Sequence, residues 1–465
     1  MINSNSNGKN HMEGQDLTRG SVLKELWSVA WPMMLSVFFY TLYNIVDAFW
    51  VSKLSPESIA AVSISQITLF IMASLSMGIT VGSGVIMAMN IGAKDTKEAE
   101  RVLGQSFVLA VISGAFFTAI SLIFRNELLT ASGASGAIFA PALTYFNITA
   151  TGSILFFILI TIMFAFNSQG DTFTLTKLFA LSTAVNVVLD PIMIFGLFGF
   201  PALGIAGAAY ATLISQTVFI IVAIRSLSNT HRKIRFHFYN LTFKLHSVKE
   251  VLKIGFPASL TQVINPIGIA GLLYLTSLGF QEPGTIAYTI GSRVEFLGFL
   301  PAVGFGFGAM ALIGQNIGAG NIKRAKEAFA DALKYGFLAA MGLGILAVIF
   351  ASQITRIFTT DPEVTRLVIS YIWTVSLSYG FLAATMVEAN AFQAIGRSWP
   401  GFWIFFLKFL VISVPIAYIT TQLYHLPIMA IWIAIILGNI IPSVVGYFWI
   451  NRAMSKIDIK SVPVH

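Results

Sequence analysis

Apolar stretches of about 20 or more residues follow one another along almost the whole chain, each long enough to cross a hydrocarbon layer of roughly 30 Å as a helix. Roughly twelve are legible, near 25–51, 58–89, 102–124, 137–166, 174–198, 203–226, 250–279, 285–315, 330–353, 365–395, 402–422 and 427–450. In lipid every backbone N–H and C=O must be satisfied inside the protein, and for runs of this length a helix is the element that does so. Of 465 residues 56% are hydrophobic and 10% charged, too little polar surface to cover a water-soluble domain of this size. The expected fold class is an all-α integral membrane protein with twelve transmembrane helices.

Basic residues orient these spans. Lys9, Arg19 and Lys24 precede the first span; Lys94, Lys97, Arg101, Lys177, the run from Arg225 to Lys253, Lys323, Arg324, Lys326, Arg397, Arg452, Lys456 and Lys460 fall on the same side in an alternating topology. Only Lys53, Arg125, Arg356 and Arg366 fall in the opposite loops, so the positive-inside rule places both termini in the cytoplasm of a multi-pass protein of the inner (plasma) membrane. The net charge of +8 then reflects topology and anionic headgroups; without an aromatic stacking platform it does not indicate nucleic acid. The polar first two dozen residues lack an apolar core with a cleavage site, so no cleaved signal peptide is expected.

The chain is written twice. Asn90-Ile91-Gly92-Ala93 with Lys97 and Ala99 recurs 226 positions later as Asn316-Ile317-Gly318-Ala319 with Lys323 and Ala325, and Phe166–Thr172 (FNSQGDT) meets Phe392–Ser398 (FQAIGRS) in the same register. Six spans on each side of a hydrophilic linker give parallel repeats related by an axis along the membrane normal. The expected organisation is a tail over 1–24, an N-lobe over 25–226, a cytoplasmic linker over 227–249, a C-lobe over 250–451 and a tail over 452–465. Pro32 and Pro257 each lie inside the first span of a repeat, where a missing N–H kinks the helix and offers a hinge. Gly78 and Gly82, echoed by Gly304 and Gly308, read as close-packing positions.

Four acidic residues fall within spans: Asp47, Asp190, Glu295 and Glu388. An intramembrane carboxylate costs at least roughly 2.5–3.5 kcal/mol at the bilayer centre, which marks each as a functional candidate. Asp47 and Asp190 share a depth near the external side. Ser36, Tyr40, Tyr43, Asn44 and Asp47 form one polar stripe at helical spacing, and Thr183, Asn186 and Asp190 form another on the fifth span. If the stripes face each other, two carboxylates share a poorly hydrated pocket that disfavours double ionisation, so one of them is suited to binding a proton near neutral pH, or the same oxygens to holding sodium. The 226-residue offset carries Asp47, Asn186 and Asp190 onto Leu273, Ile412 and Ile416, so the buried acids belong mainly to the first half: symmetric mechanics with one-sided chemistry. Glu295 has Arg293 as an expected ion-pair partner, and Arg293 is the one basic residue expected inside a span away from its cytoplasmic end. Aromatic and methionine side chains beside carboxylates suit flat organic cations.

There is no cysteine, which excludes disulfides and thiolate chemistry, and the six histidines show no metal-ligand spacing. No phosphate-binding GxxxxGK[ST] loop is present, so ATP hydrolysis is not expected. No cofactor is expected beyond a coupling ion, H+ or Na+.

Twelve spans in two halves, Pro32, Thr41, Tyr43 and Asp47 in TLYNIVD, the NVVLDP run from Asn186 to Pro191, GAAYAT from Gly207 to Thr212, and the paired NIGA and FNSQGDT/FQAIGRS segments together resemble the multidrug and toxic compound extrusion (MATE) family, in particular its prokaryotic branch named after a DNA-damage-inducible protein. The resemblance covers essentially the whole chain. It implies a V-shaped pair of six-helix lobes exporting drugs, with organic cations as substrates, in exchange for protons or sodium, and no enzymatic activity. Carried over, the ion site falls on Asp47, Asn186, Asp190, Ala208 and Thr212 with Tyr43 and Tyr145 nearby, and a bound Na+ would use Asp47, Asn186, Asp190 and Thr212. A different branch places a sodium-binding acid in the seventh span, where this chain has Gln262 and Asn265, which are left as cavity residues alongside Tyr40, Tyr43, Asn44 and Tyr145. Glu388 resembles a tenth-span acid of other members. A monomer contacting membrane lipids is expected.

Two other readings compete. A lipid-linked precursor flippase of the same superfamily would share the duplication but calls for more cationic residues in the cavity. An intramembrane aspartyl protease would also use two aspartates, but Asp190 follows Val188 and Leu189 where such enzymes need a Gly-x-Gly run, and Asp171 after Gly170 lies in a cytoplasmic loop.

Overall fold

The computed structural model describes residues 16–229 and 232–457, with the side chains of residues 67, 68, 71–73, 75, 76 and 79 excepted; Lys9, Lys460 and the outer parts of both expected tails lie outside the described residues. Among the described residues there is no strand. The long helices are α1 (Val22–Ser52), α2 (Pro56–Gly92), α3 (Thr96–Ile123), α4 (Gly136–Thr151 with Ser153–Ser168, bent 50° between the two), α5 (Thr172–Phe195) and α6 (Ile205–Leu227). A 74-residue helix, Leu245–Gly318, follows, broken only at Gln281, where φ is 51°; its two sides are α7 and α8. Then come α9 (Ile322–Ile349), α10 (Pro362–Ala394), α11 (Trp399–Leu423) and α12 (Met429–Ser455). Nine described helices are long and apolar enough to cross a membrane and the bent α4 makes a tenth; counting both sides of Gln281 and adding α2 gives twelve spans.

The duplication is visible in the turns. At the end of α2, Asp95 N–H donates to the Asn90 carbonyl at 2.9 Å and the Asp95 side chain caps α3 through Glu98 N–H at 3.0 Å; at the end of α8, Asn321 N–H donates to Asn316 O at 2.8 Å and Asn321 Oδ1 caps α9 through Arg324 N–H at 3.2 Å. A short polar side chain at the N-cap satisfies an N–H that the helix start leaves open. Gly170 and Gly396 both take φ 74°, a left-handed turn open to glycine, and the turns around them close with the same pair of backbone hydrogen bonds.

The chain divides into two compact units, one of Leu35–Gly255 and the other of Asp16–Met34 with the described residues from Phe256 onward. Both crossover points lie within about two residues of Pro32 or Pro257, yet the helices run on through both prolines without interruption. In unit 1, Gly82 and Gly207 are close-approach points: a Cβ on Gly82 would stand 2.2 Å from the Val251 carbonyl oxygen, and one on Gly207 would stand 2.4 Å from that of Met193. The segment after α6 is packed down: Ile234 is buried, Phe236 packs on Phe107, Gly104 leaves room for the Asn240 backbone, and Arg232 forms a buried ion pair with Asp171. In unit 2, Arg324 donates to the carbonyls of Arg19 and Gly20, which holds the residues preceding α1 against the start of α9.

Candidate ion and substrate site

α1 enters unit 1 at Leu35, and Ser36, Tyr43 and Asp47 fall on one side of it, two and three turns apart. α5 runs parallel to that side. Ser36 Oγ and Thr176 Oγ1 share a hydrogen bond of 2.9 Å, and Thr183 Oγ1 donates to the Phe39 carbonyl at 3.1 Å. Two turns further along come the acids. Asp47 is 2% exposed; Asn186 and Asp190 are fully enclosed. Asn186 Nδ2 donates to Asp190 Oδ1 at 3.0 Å.

Three acceptors remain without donors: Asp47 Oδ1, Asn186 Oδ1 and Asp190 Oδ2 are sealed from solvent and form no hydrogen bond. An unpaired buried acceptor costs about 1–3 kcal/mol, more when charged, so these three oxygens have an unmet need for a donor. Pro191 lies within the same helix, and its missing N–H leaves the Val187 carbonyl without its helical donor. Asp47 lies within Coulombic range of Asp190, and Tyr43 and Tyr145 of both carboxylates. The Tyr43 hydroxyl is within reach of Thr212, and Tyr145 packs in one buried cluster with Ala208. The site thus gathers Tyr43, Asp47, Tyr145, Asn186, Asp190, Ala208 and Thr212 from α1, α4, α5 and α6. Tyr40 is 44% exposed with its ring nearly parallel to that of Tyr43 at 6.3 Å, and Asn44 uses its amide on the Tyr40 carbonyl at 2.7 Å within its own helix. Gln262 and Asn265 belong to α7 in unit 2. Thr176 extends the α5 stripe by two turns and was legible at helical spacing in the sequence.

The MatE family model matches residues 32–192 and again 263–419. The chain belongs to the MatE family. The two matched segments fall one in each repeat, as a duplicated MatE scaffold requires. The FAD transporter of Shewanella oneidensis is 26% identical over 432 residues, covering 93% of this chain and 95% of the relative. The probable multidrug resistance protein NorM of Thermotoga maritima is 26% identical over 441 residues, covering 94% and 93%. Among solved structures, the outward-facing conformation of a multidrug resistance MATE transporter superposes with a TM-score of 0.89 at 27% identity, covering 96% of this chain and 99% of that one. A MOP superfamily transporter from Pyrococcus furiosus gives 0.88 at 26% identity, covering 98% and 99%. This MatE chain is therefore a multi-pass membrane transporter of the multidrug efflux type and not an enzyme, which removes the protease reading.

Unit 2 departs from the sequence reading at Glu295 and at Lys408. Glu295 pairs with Tyr371, whose hydroxyl donates at 2.9 Å, and among the described residues no ion pair joins it to Arg293, which is exposed. Glu388, one of the four acids expected within spans, is fully buried, with Ser443 Oγ at 3.5 Å and Gly446 leaving its carboxylate room. Arg293 is not the only basic residue set inside a span: Lys408 lies nine residues into α11, about 13 Å along it at 1.5 Å per residue, and is 4% exposed. The sequence signal for Lys408 is a lone charge within the 402–422 stretch, and periodicity alone does not show which side of that helix faces protein.

Proposed function

We propose that this transporter exports organic cations, mainly flat aromatic ones, in exchange for protons or sodium ions, with Asp47 as the coupling carboxylate and Asp190 and Asn186 sharing its ion. The observation that carries this reading is the trio of donorless buried acceptors on Asp47, Asn186 and Asp190. A proton on either carboxylate supplies the missing donor. A sodium ion satisfies the same oxygens together with Thr212, and oxygen donors are what a hard cation takes. Tyr40 and Tyr43 offer aromatic faces to a cationic drug beside the same carboxylates.

Coupling follows from differential affinity. Drug cation and coupling ion compete for the same negative charge, so each weakens the other's binding by an equal factor. Neutralising Asp47 removes its need for water or a cationic partner and favours the arrangement in which the α1 stripe lies against α5, as the Ser36–Thr176 contact holds it, over one bent open at Pro32 that admits the drug. At about 2.3 kcal/mol per charge per 100 mV, a driving force of ~150 mV gives about 3.5 kcal/mol per ion, enough for a few-hundred-fold gradient of a neutral substrate. One ion suffices.

The test is ethidium transport by the purified protein in proteoliposomes, first under an imposed pH gradient and then under an imposed sodium gradient. Uptake driven by one gradient and lost in Asp47→Asn supports the reading; gradient-driven uptake at the wild-type rate in that variant overturns it.

A further inference from the structure

Unit 2 holds a second set of charges that the coupling reading does not use. On α8, Gly291, Glu295 and Gly298 fall on one face at spacings of four and three. The glycines make room for two tyrosine rings: a Cβ on Gly291 would stand 2.5 Å from Tyr371, and one on Gly298 would stand 2.7 Å from Tyr379. Glu295 sits between these rings and accepts from the Tyr371 hydroxyl at 2.9 Å. Tyr371 meets Trp432 edge-on at 4.7 Å, and Tyr288, one face-repeat before Glu295, lies parallel to Trp432 at 6.3 Å. A carboxylate backed by tyrosine and tryptophan faces is the arrangement that receives an organic cation. Glu295 remains partly accessible, so this side of the set is open to a ligand.

Lys408 supplies the opposite sign. It lies in the widened π-helical turn Leu407–Ser413 of α11, a distortion that recurs at functional sites. Phe409 is fixed against Gly268, where a Cβ would stand 2.1 Å from the ring, and the Lys408 ammonium lies 4.8 Å from the centre of that ring. Among the described residues it has no hydrogen-bond acceptor and no ion pair within 4.0 Å, although it is 4% exposed and Glu295 acts on it at Coulombic range. Val414 and Ile416 of α11 pack against the same cluster as Tyr288, Tyr371 and Tyr379, so the two opposite charges are set around one apolar interior, with no ion pair between them among the described residues. A ligand of a single sign would satisfy one of them and be repelled by the other.

We propose that unit 2 binds a zwitterionic molecule across this gap, its carboxylate or phosphate on Lys408 and its protonated amine on Glu295 among the aromatic rings. The chemistry is shared by soluble zwitterions and by the phosphoethanolamine headgroup of a lipid, and the site is independent of the carboxylates of unit 1.

Rhodamine 110, a zwitterion with a free carboxylate, and rhodamine 123, its cationic methyl ester, are matched probes. Their affinities for the full-length protein in detergent are read by fluorescence polarisation without any gradient, so failure of the coupling reading leaves the result untouched. A charge-assisted contact is worth about tenfold or more, so Lys408→Met should weaken rhodamine 110 by at least about tenfold and rhodamine 123 by less than about twofold, while Glu295→Gln should weaken both. Lys408→Arg should retain rhodamine 110 binding, and Lys408→Gln replaces the methionine variant if that one does not purify as a folded protein. In nanodiscs, displacement of rhodamine 110 by phosphatidylethanolamine, absent with phosphatidylglycerol alone and absent in Lys408→Met, identifies the lipid headgroup as the zwitterion; no displacement identifies the soluble one. Equal loss of both dyes in Lys408→Met, loss of neither, or no binding of rhodamine 110 to the wild type overturns the proposal.

Discussion

The two repeats agree in their backbone turns and differ in their interiors. α3 and α9 start and end 226 residues apart, as do the second half of α4 (Ser153–Ser168) and the helix Tyr379–Ala394, and Tyr145 corresponds to Tyr371, each buried beside its own repeat's acid. The charges themselves have no counterparts: Asp47, Asn186 and Asp190 meet Leu273, Ile412 and Ile416, while Lys408, Glu295 and Glu388 correspond to Ser182, Leu69 and Ile162. Turns are set by local chemistry, a capping carboxylate or amide and a glycine at positive φ, and both copies need them to reverse the chain. Interior charge is costly in lipid, and each repeat holds its own set. The duplication conserves the frame and leaves the contents free.

That contrast can be broken first at the linker. Asp171 is paired with Arg232 in a buried contact, whereas its counterpart Arg397 is exposed. Removing one partner of a buried pair strands the other, so Arg232→Ala should cost about 3–5 kcal/mol. Arg397→Ala should stay within about 0.5 kcal/mol. Thermal unfolding in detergent reads both, and equal losses would show that the two turns carry the same load.

Next is Asp47, the proposed coupling carboxylate. Asp47→Asn should lower gradient-driven efflux at least a hundredfold, about 2.7 kcal/mol in the barrier, with the unfolding midpoint unchanged within a few degrees. Glu388→Gln in the other repeat should leave transport within about threefold, since a hundredfold corresponds to losing a charge used in the transport step itself. Comparable losses in both variants, measured in proteoliposomes, would make the two sets of acids equivalent.

A smaller effect separates the last helices of the repeats. A Cβ on Gly446 would stand 2.1 Å from Glu388 Oε2, whereas the equivalent position in unit 1 already carries Ile220. Gly446→Ala should therefore destabilise by about 1–3 kcal/mol through overpacking, and Glu388→Ala in the same chain should recover part of that loss.

The smallest effect tests likeness. Gly396→Ala meets no atom within 4 Å, so only its φ of 74° opposes the change and the cost should be about 1–2 kcal/mol. Gly170→Ala, at the same φ but buried, should cost at least as much. A negligible cost at either one, again read from the unfolding midpoint, would mean that the shared turn geometry is not what holds the repeats alike.

Twelve spans, the duplication and the stripe carrying Asp47 were legible in the chain alone, because hydropathy, periodicity and turn chemistry are local and lipid leaves the backbone few choices. Which helix faces which was not. The meeting of α1 with α5, the orphaned oxygens of Asp47, Asn186 and Asp190, the transfer of Glu295 from Arg293 to Tyr371, and the burial of Lys408 in a widened turn of α11 depend on residues tens to hundreds of positions apart. A charged side chain near a helix end reads the same whether it reaches for headgroups or turns inward. Only packing, through glycines such as Gly268 that admit a neighbouring ring, decides between them.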